Sequence, residues 1–243
     1  MTKVIPDFVS FFTSKSCFKV VDLPQNKKNS TAETAMGGME MTKKLGMVGS
    51  AVNALTVLAF AVCMLIDFTV GSYFVCILLA LSFLCMTGAF DSECTKKNKA
   101  AGRVALVMAG VYATLILIVY YAQCTTVQNE SLTPVASQIL DYRHLGLLFN
   151  IDILGYGVMA LSTFFIGLTI QAKNKMDKAL KILLLGHGLF FPACLIMPMT
   201  GMFLGHEGST SSGGVIALEI WCLYFLPIGI LSMLHFRKSG ADN

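Results

Sequence analysis

The chain has 243 residues, of which 55% are hydrophobic and only 13% charged, with a formal net charge of +4. A soluble domain carries roughly a quarter charged residues, so half that share, gathered between long apolar runs, excludes an ordinary soluble enzyme. The mean hydropathy of +0.70 points the same way.

Residues 1–45 come first and are read as a flexible cytoplasmic segment. The run VIPDFVSFF is short, carries Asp7 and lacks a cleavage site, so it is not a secretory signal. Residues 22–45 are polar and turn-rich. Two readings stand for this segment. Translation begins at Met36, Met39 or Met41, or Phe8, Phe11, Phe12 and Phe18 lie on the membrane surface as an amphipathic stretch.

Six apolar runs follow, at 46–66, 71–90, 104–123, 145–171, 179–204 and 213–236. A membrane helix needs about 20 apolar residues, and each run reaches that. The expected fold is an all-α bundle of six transmembrane helices over 46–236, with a short cytoplasmic tail at 237–243 and the lipid bilayer as its main partner.

Charge gives the orientation. With six spans, Lys and Arg of the first 45 residues, of the loops after spans two and four, and of the tail all fall on one side. They make up seventeen of the eighteen basic residues, leaving only Arg143 opposite. Cytoplasmic loops collect such residues, so both termini are predicted cytoplasmic. The basic clusters then read as topology signals and anionic-lipid contacts, not as a nucleic-acid surface.

Span one carries Gly46, Ser50 and Ala54 at the spacing that lets a neighbouring helix approach, with Asn53 as its buried polar group. Only Phe68, Thr69 and Val70 separate Asp67 from span two, which predicts a tight hairpin. Asp91 and Glu93 end span two beside Lys96 and Arg103. Tyr120 and Tyr121 end span three as an interfacial belt, while Tyr112 lies deeper and needs a hydroxyl partner. In the loop 124–143, Asn129-Glu130-Ser131 is a glycosylation sequon, Pro134 breaks structure, and Asp141 and Arg143 form a local pair. Pro192 and Pro198 are expected to break span five. MTGAF at 86–90 and MTGMF at 199–203 echo one another, as do VNALT at 52–56 and VMALS at 158–162. The echoes suggest an inverted repeat of two three-helix halves, the plan of many transporters.

The candidate site rests on Asp152 and Glu219, the only acids well inside spans. Both fall roughly 8–11 Å below the outer boundary, counting about 1.5 Å per residue, so the two carboxylates are expected to share an outward-facing polar cavity. Tyr156 continues the Asp152 face and Asn150 points roughly the other way. Such a site suits a proton, a small cation or an amine as ligand. The competing reading makes Asp152 a structural acid bonded to Tyr112 or a backbone carbonyl, with Glu219 reaching the headgroups.

Other chemistry is thinner. The eight cysteines show no metal or disulfide spacing. His187 with Met197, Met199 and Met202 offers a soft-metal set, but its flanking glycines fit a hydrogen-bonded packing residue better, so no metal and no cofactor is expected. Neither a nucleophile elbow, HExxH nor a Walker loop is present. Gly155-Tyr156-Gly157 is followed by Val158 instead of the Asp of an intramembrane aspartyl protease, and no span holds a buried Lys.

Asp152, Leu154-Gly155-Tyr156, Leu161 and Thr163-Phe164-Phe165, followed by Gly186 and Pro192, resemble a group of six-span bacterial integral membrane proteins with no assigned activity. That resemblance covers spans four and five best. It implies a prokaryotic inner or plasma membrane and makes the sequon incidental. The leading expectation is a small transporter or a solute- or proton-binding membrane protein. The alternative is a non-catalytic membrane subunit or sensor that packs, as a homo- or hetero-oligomer, against a partner through faces such as Gly201 and Gly205. An enzyme acting on lipid stands third.

Overall fold

A computed structural model describes the backbone of residues 27–129, 131–203 and 212–239, and no strand occurs among them. The chain divides into two compact units, Met1–Gly37 and Gly38–Asn243; the bundle belongs to the second. The N-terminal phenylalanines, the middle of the sequon and Gly205 lie outside the described residues.

Among the described residues, six helices are long and apolar enough to cross a membrane: Gly37–Leu65, Thr69–Glu93, Lys99–Asn129, Leu147–Thr169, Lys175–Met199 and Val215–Lys238. They match the six runs read from the sequence. The second packs on the third, the third on the fourth, the fourth on both halves of the fifth, and the fifth on the sixth. The sixth returns to the first, where Gly229 faces Ala54. Phe83, Tyr112, Met159 and Phe225, each fully buried, fill the middle.

Local chemistry explains the connections. Span one joins span two through Asp67 in the left-handed region at φ 55°, a conformation that Asp tolerates better than most residues. Asn53 Nδ2 donates to Ser82 Oγ at 3.4 Å, which is the interhelical contact expected of a buried Asn. Asn98 Nδ2 donates to the Thr169 carbonyl at 2.8 Å, and Lys181 Nζ to the Ile170 carbonyl at 3.1 Å. These side chains satisfy carbonyls that the end of span four leaves without an intrahelical partner. Near this end, a Cβ on Gly167 would lie 3.1 Å from the Leu185 backbone nitrogen, so the absent side chain lets spans four and five meet.

Several expectations change. The helix of span one runs Lys27–Leu65, so residues 27–45, which read as turn-rich, are helical; Glu40 and Lys44, one turn apart, pair at 2.6 Å on its surface. Pro134 does not break structure but opens the helix Pro134–Leu140, capped by Thr133, whose Oγ1 accepts from the Ala136 amide. At that first position its missing N–H costs nothing. Thr133→Ala is expected to cost about 1 kcal/mol, read as a lower unfolding midpoint.

Span five breaks between His187 and Phe190, ahead of both prolines. The ring of Pro192 meets the carbonyl four residues earlier, at Gly188, so the break falls one turn upstream. Tyr121 is exposed, as a belt residue should be, but Tyr120 is buried. The echoing words also differ in conformation: 86–90 is helical, whereas 199–203 forms the end of a helix and a turn.

Candidate functional site: Asp152 in a tyrosine-lined core

Asp152 sits in the second turn of the fourth span and is 2% exposed. Its Oδ2 accepts from the Tyr142 hydroxyl at 3.0 Å. Its Oδ1 is buried and has no hydrogen-bond partner.

Tyr142 comes from the short 3-10 turn Tyr142–His144 that leads into the span. Two contacts hold that turn. Asp141 caps it, accepting from the Arg143 amide at 3.0 Å, and its carboxylate takes the Arg143 guanidinium at 2.8 Å. Gln123 of span three donates to the Leu140 carbonyl at 2.6 Å and accepts from the Tyr142 amide at 3.1 Å. Burial alone would push the Asp141 carboxyl up, but the Arg143 donors outweigh it and hold it below its ordinary value. A carboxyl depressed in the folded protein stabilises it above the unfolded pKa, and that stabilisation goes as pH falls through the folded value. The lead-in is therefore expected to loosen only in acid below about pH 4, seen as faster amide exchange over 139–145. Burial, followed by the charge of Asp152, raises the Tyr142 hydroxyl well above its usual pKa. It keeps its proton and is the donor in this bond.

Five of the seven tyrosines crowd this region. Tyr73 and Tyr120 lie against the Tyr142 ring, with centroids at 5.9 and 6.2 Å. Tyr156, one turn beyond Asp152, meets Tyr112 at 5.8 Å and Trp221 at 5.3 Å, both edge to face. Its hydroxyl is 3.6 Å from Cys76 Sγ. The lining therefore comes from spans two, three, four and six and from the lead-in turn.

The sequence-derived site is thus partly assembled. Asp152 and Tyr156 share one aromatic core. Asn150 turns back to the Gly146 carbonyl at 3.0 Å and is exposed. Glu219 is partly buried, its Oε1 is without a hydrogen-bond partner, and no hydrogen bond joins it to Asp152. The acid's partner is Tyr142, not Tyr112, whose hydroxyl is buried and unpartnered beside Phe83. Sequence reasoning missed Tyr142. Its signal was an aromatic residue between Asp141 and Arg143, just ahead of a span with an acid in its second turn.

Deeper in the bundle, His187 Nε2 accepts from Trp221 Nε1 at 3.1 Å, and Nδ1 lies 2.8 Å from Thr163 Oγ1. An indole N–H can only donate, so Nε2 is the acceptor and Nδ1 carries the proton of a neutral ring. With both nitrogens engaged, His187 has no lone pair free for a metal. Trp221→Phe keeps the ring that stacks on Phe225 at 5.1 Å but leaves Nε2 buried without a donor. The expected cost is about 1–3 kcal/mol, measured by circular dichroism because the variant lacks the chain's one tryptophan.

At the opposite end, where the Lys- and Arg-rich loops lie, Asp91 pairs with Lys99 at 3.0 Å and Arg103 at 3.2 Å. A cleft of about 950 Å³ also opens there, with Glu93, Asp177 and His235 among its lining residues. Comparison with protein-family models, with curated proteins and with solved structures returns no match to this chain.

Proposed function

We propose that the chain is a small carrier or binding protein of the membrane that takes up a proton or a small cation at Asp152. Both termini lie on the cytoplasmic side, following the basic loops, so Asp152 lies in the half of the bundle nearer the opposite face. The observation that carries the reading is the unpartnered Oδ1 of a carboxyl 2% exposed.

An intramembrane acid whose Oδ1 has no hydrogen-bond partner is not balanced for full charge, and uncompensated charge in an apolar setting is costly. A proton on Oδ1, or a cation beside it, supplies what is lacking. The surrounding tyrosines suit either. Their hydroxyls offer oxygens to a desolvated cation, and their ring faces attract an organic ammonium. Glu219 makes no hydrogen bond to Asp152, and its Oε1 is left without a partner.

A thermal-shift series on the purified protein, across pH and with potassium, ammonium and choline, tests the reading. A melting temperature that depends on pH or on one cation supports it. A flat response transfers weight to the second reading, a subunit that packs against another protein. One observation favours that alternative: span six exposes Ile216, Ile220 and Leu223 at helical spacing, as a helix face awaiting a neighbour would.

A further inference from the structure

The cleft at the basic end holds a contact that the Asp152 reading does not use. His235, near the end of span six, places Nδ1 2.9 Å from Asp177 Oδ1 and Nε2 3.0 Å from Glu93 Oε2. Asp177 belongs to span five and Glu93 to span two. The ring is held between Phe90 at 5.7 Å and Phe236 at 5.5 Å, so it cannot turn away from either acid without disturbing both neighbours.

The geometry restricts the protonation state. Ionised carboxylates only accept, and a neutral imidazole has one N–H and one lone pair. A neutral His235 would turn its lone pair on one of the two acids; only the imidazolium donates to both. Asp177 is held in place at its other oxygen, where Oδ2 takes a bond from Asn174 Nδ2 at 2.7 Å. The other charged groups lining the cleft are Lys43 of span one, Lys173 of the loop after span four and Lys238 of span six. The Cys94 thiol also lines it, and burial raises its pKa.

We propose that His235 is a second proton-binding site, and that its proton closes the basic end of the bundle by holding span six to spans two and five. Loss of the proton replaces one hydrogen bond with a repulsive contact. The end of span six is then released and the cleft widens. Along span five the fully buried Leu180 and Leu184 lie between Asp177 and His187, so an apolar layer separates this proton from the deeper core. The site stands independently of Asp152, and an Asp152→Asn variant leaves its three residues in place.

The test is nitrogen NMR of the full chain in bilayers, with its four histidines labelled with ¹⁵N, from about pH 5.5 to about pH 9 to bracket imidazole titration. Amide exchange over 231–238, corrected for the intrinsic pH dependence, is followed in parallel. His235 is assigned by the signal that His235→Gln removes or, if that variant does not fold, by the signal that none of His144→Gln, His187→Gln and His206→Gln removes. The expected result is a ring carrying both protons at neutral pH, with amide protection that falls as the proton leaves. In Glu93→Gln the proton should leave at least about one pH unit earlier, a tenfold change. A ring that is neutral at pH 7, a titration unmoved in Glu93→Gln, or protection that ignores the titration overturns the proposal.

Discussion

Asp152→Asn is expected to abolish the pH- or cation-dependent response while leaving the protein folded. Asparagine keeps the shape and an oxygen that can accept from Tyr142, so the 3.0 Å contact survives. It cannot take up a proton, nor supply a charge to a cation. Removing one member of a buried charge pair costs about 2–5 kcal/mol, so a cation bound there should weaken roughly 30-fold or more. Tyr142→Phe gives the complementary result. It strips the hydroxyl donor from Asp152 Oδ2, should destabilise the fold by about 1–3 kcal/mol, and should leave a site that still responds to pH. If both variants lose only stability and the wild type shows no response, Asp152 is a structural acid.

The second large effect is mechanical. A side chain on Gly229 would place its Cβ 3.0 Å from Ala54 Cβ and 3.1 Å from the Ala54 Cα and nitrogen. The backbone cannot rotate aside as a side chain can. Gly229→Leu must therefore push span six away from span one, at a cost of about 1–3 kcal/mol or more, a large share of a typical total of about 5–15 kcal/mol. Gly110→Leu is the control. Nothing lies within 4 Å of its would-be Cβ, and its stability should stay within about 1 kcal/mol of the wild type. Equal losses in the two variants would show that helix packing at Gly229 is not what matters.

Hydropathy made the six helices legible, because length and apolarity suffice for a span. The close approach of span one was legible too, since small residues at Gly46, Ser50 and Ala54 leave room for a neighbour, and Ala54 does meet span six. Pairings across the bundle were not. Counting along the spans puts Asp152 and Glu219 at similar depth, but depth along a helix does not say where a side chain points around it. Tyr142 lay hidden in a loop that read as a mere lead-in, and its role depends on Gln123 holding the turn in place. His235 and Glu93 are 142 positions apart, and no local pattern links them. Where a break followed from backbone chemistry, as in span five, the sequence identified its cause and missed its place by a turn.

The most direct measurement is the infrared carbonyl band of the Asp152 carboxyl, isolated as the difference between wild type and Asp152→Asn in bilayers and followed with pH and with added cation. The account predicts a protonated-acid band that is present without ligand and that shifts or disappears when the proton leaves or a cation arrives. A band unchanged under every condition, or a carboxylate signal that persists throughout, would contradict it.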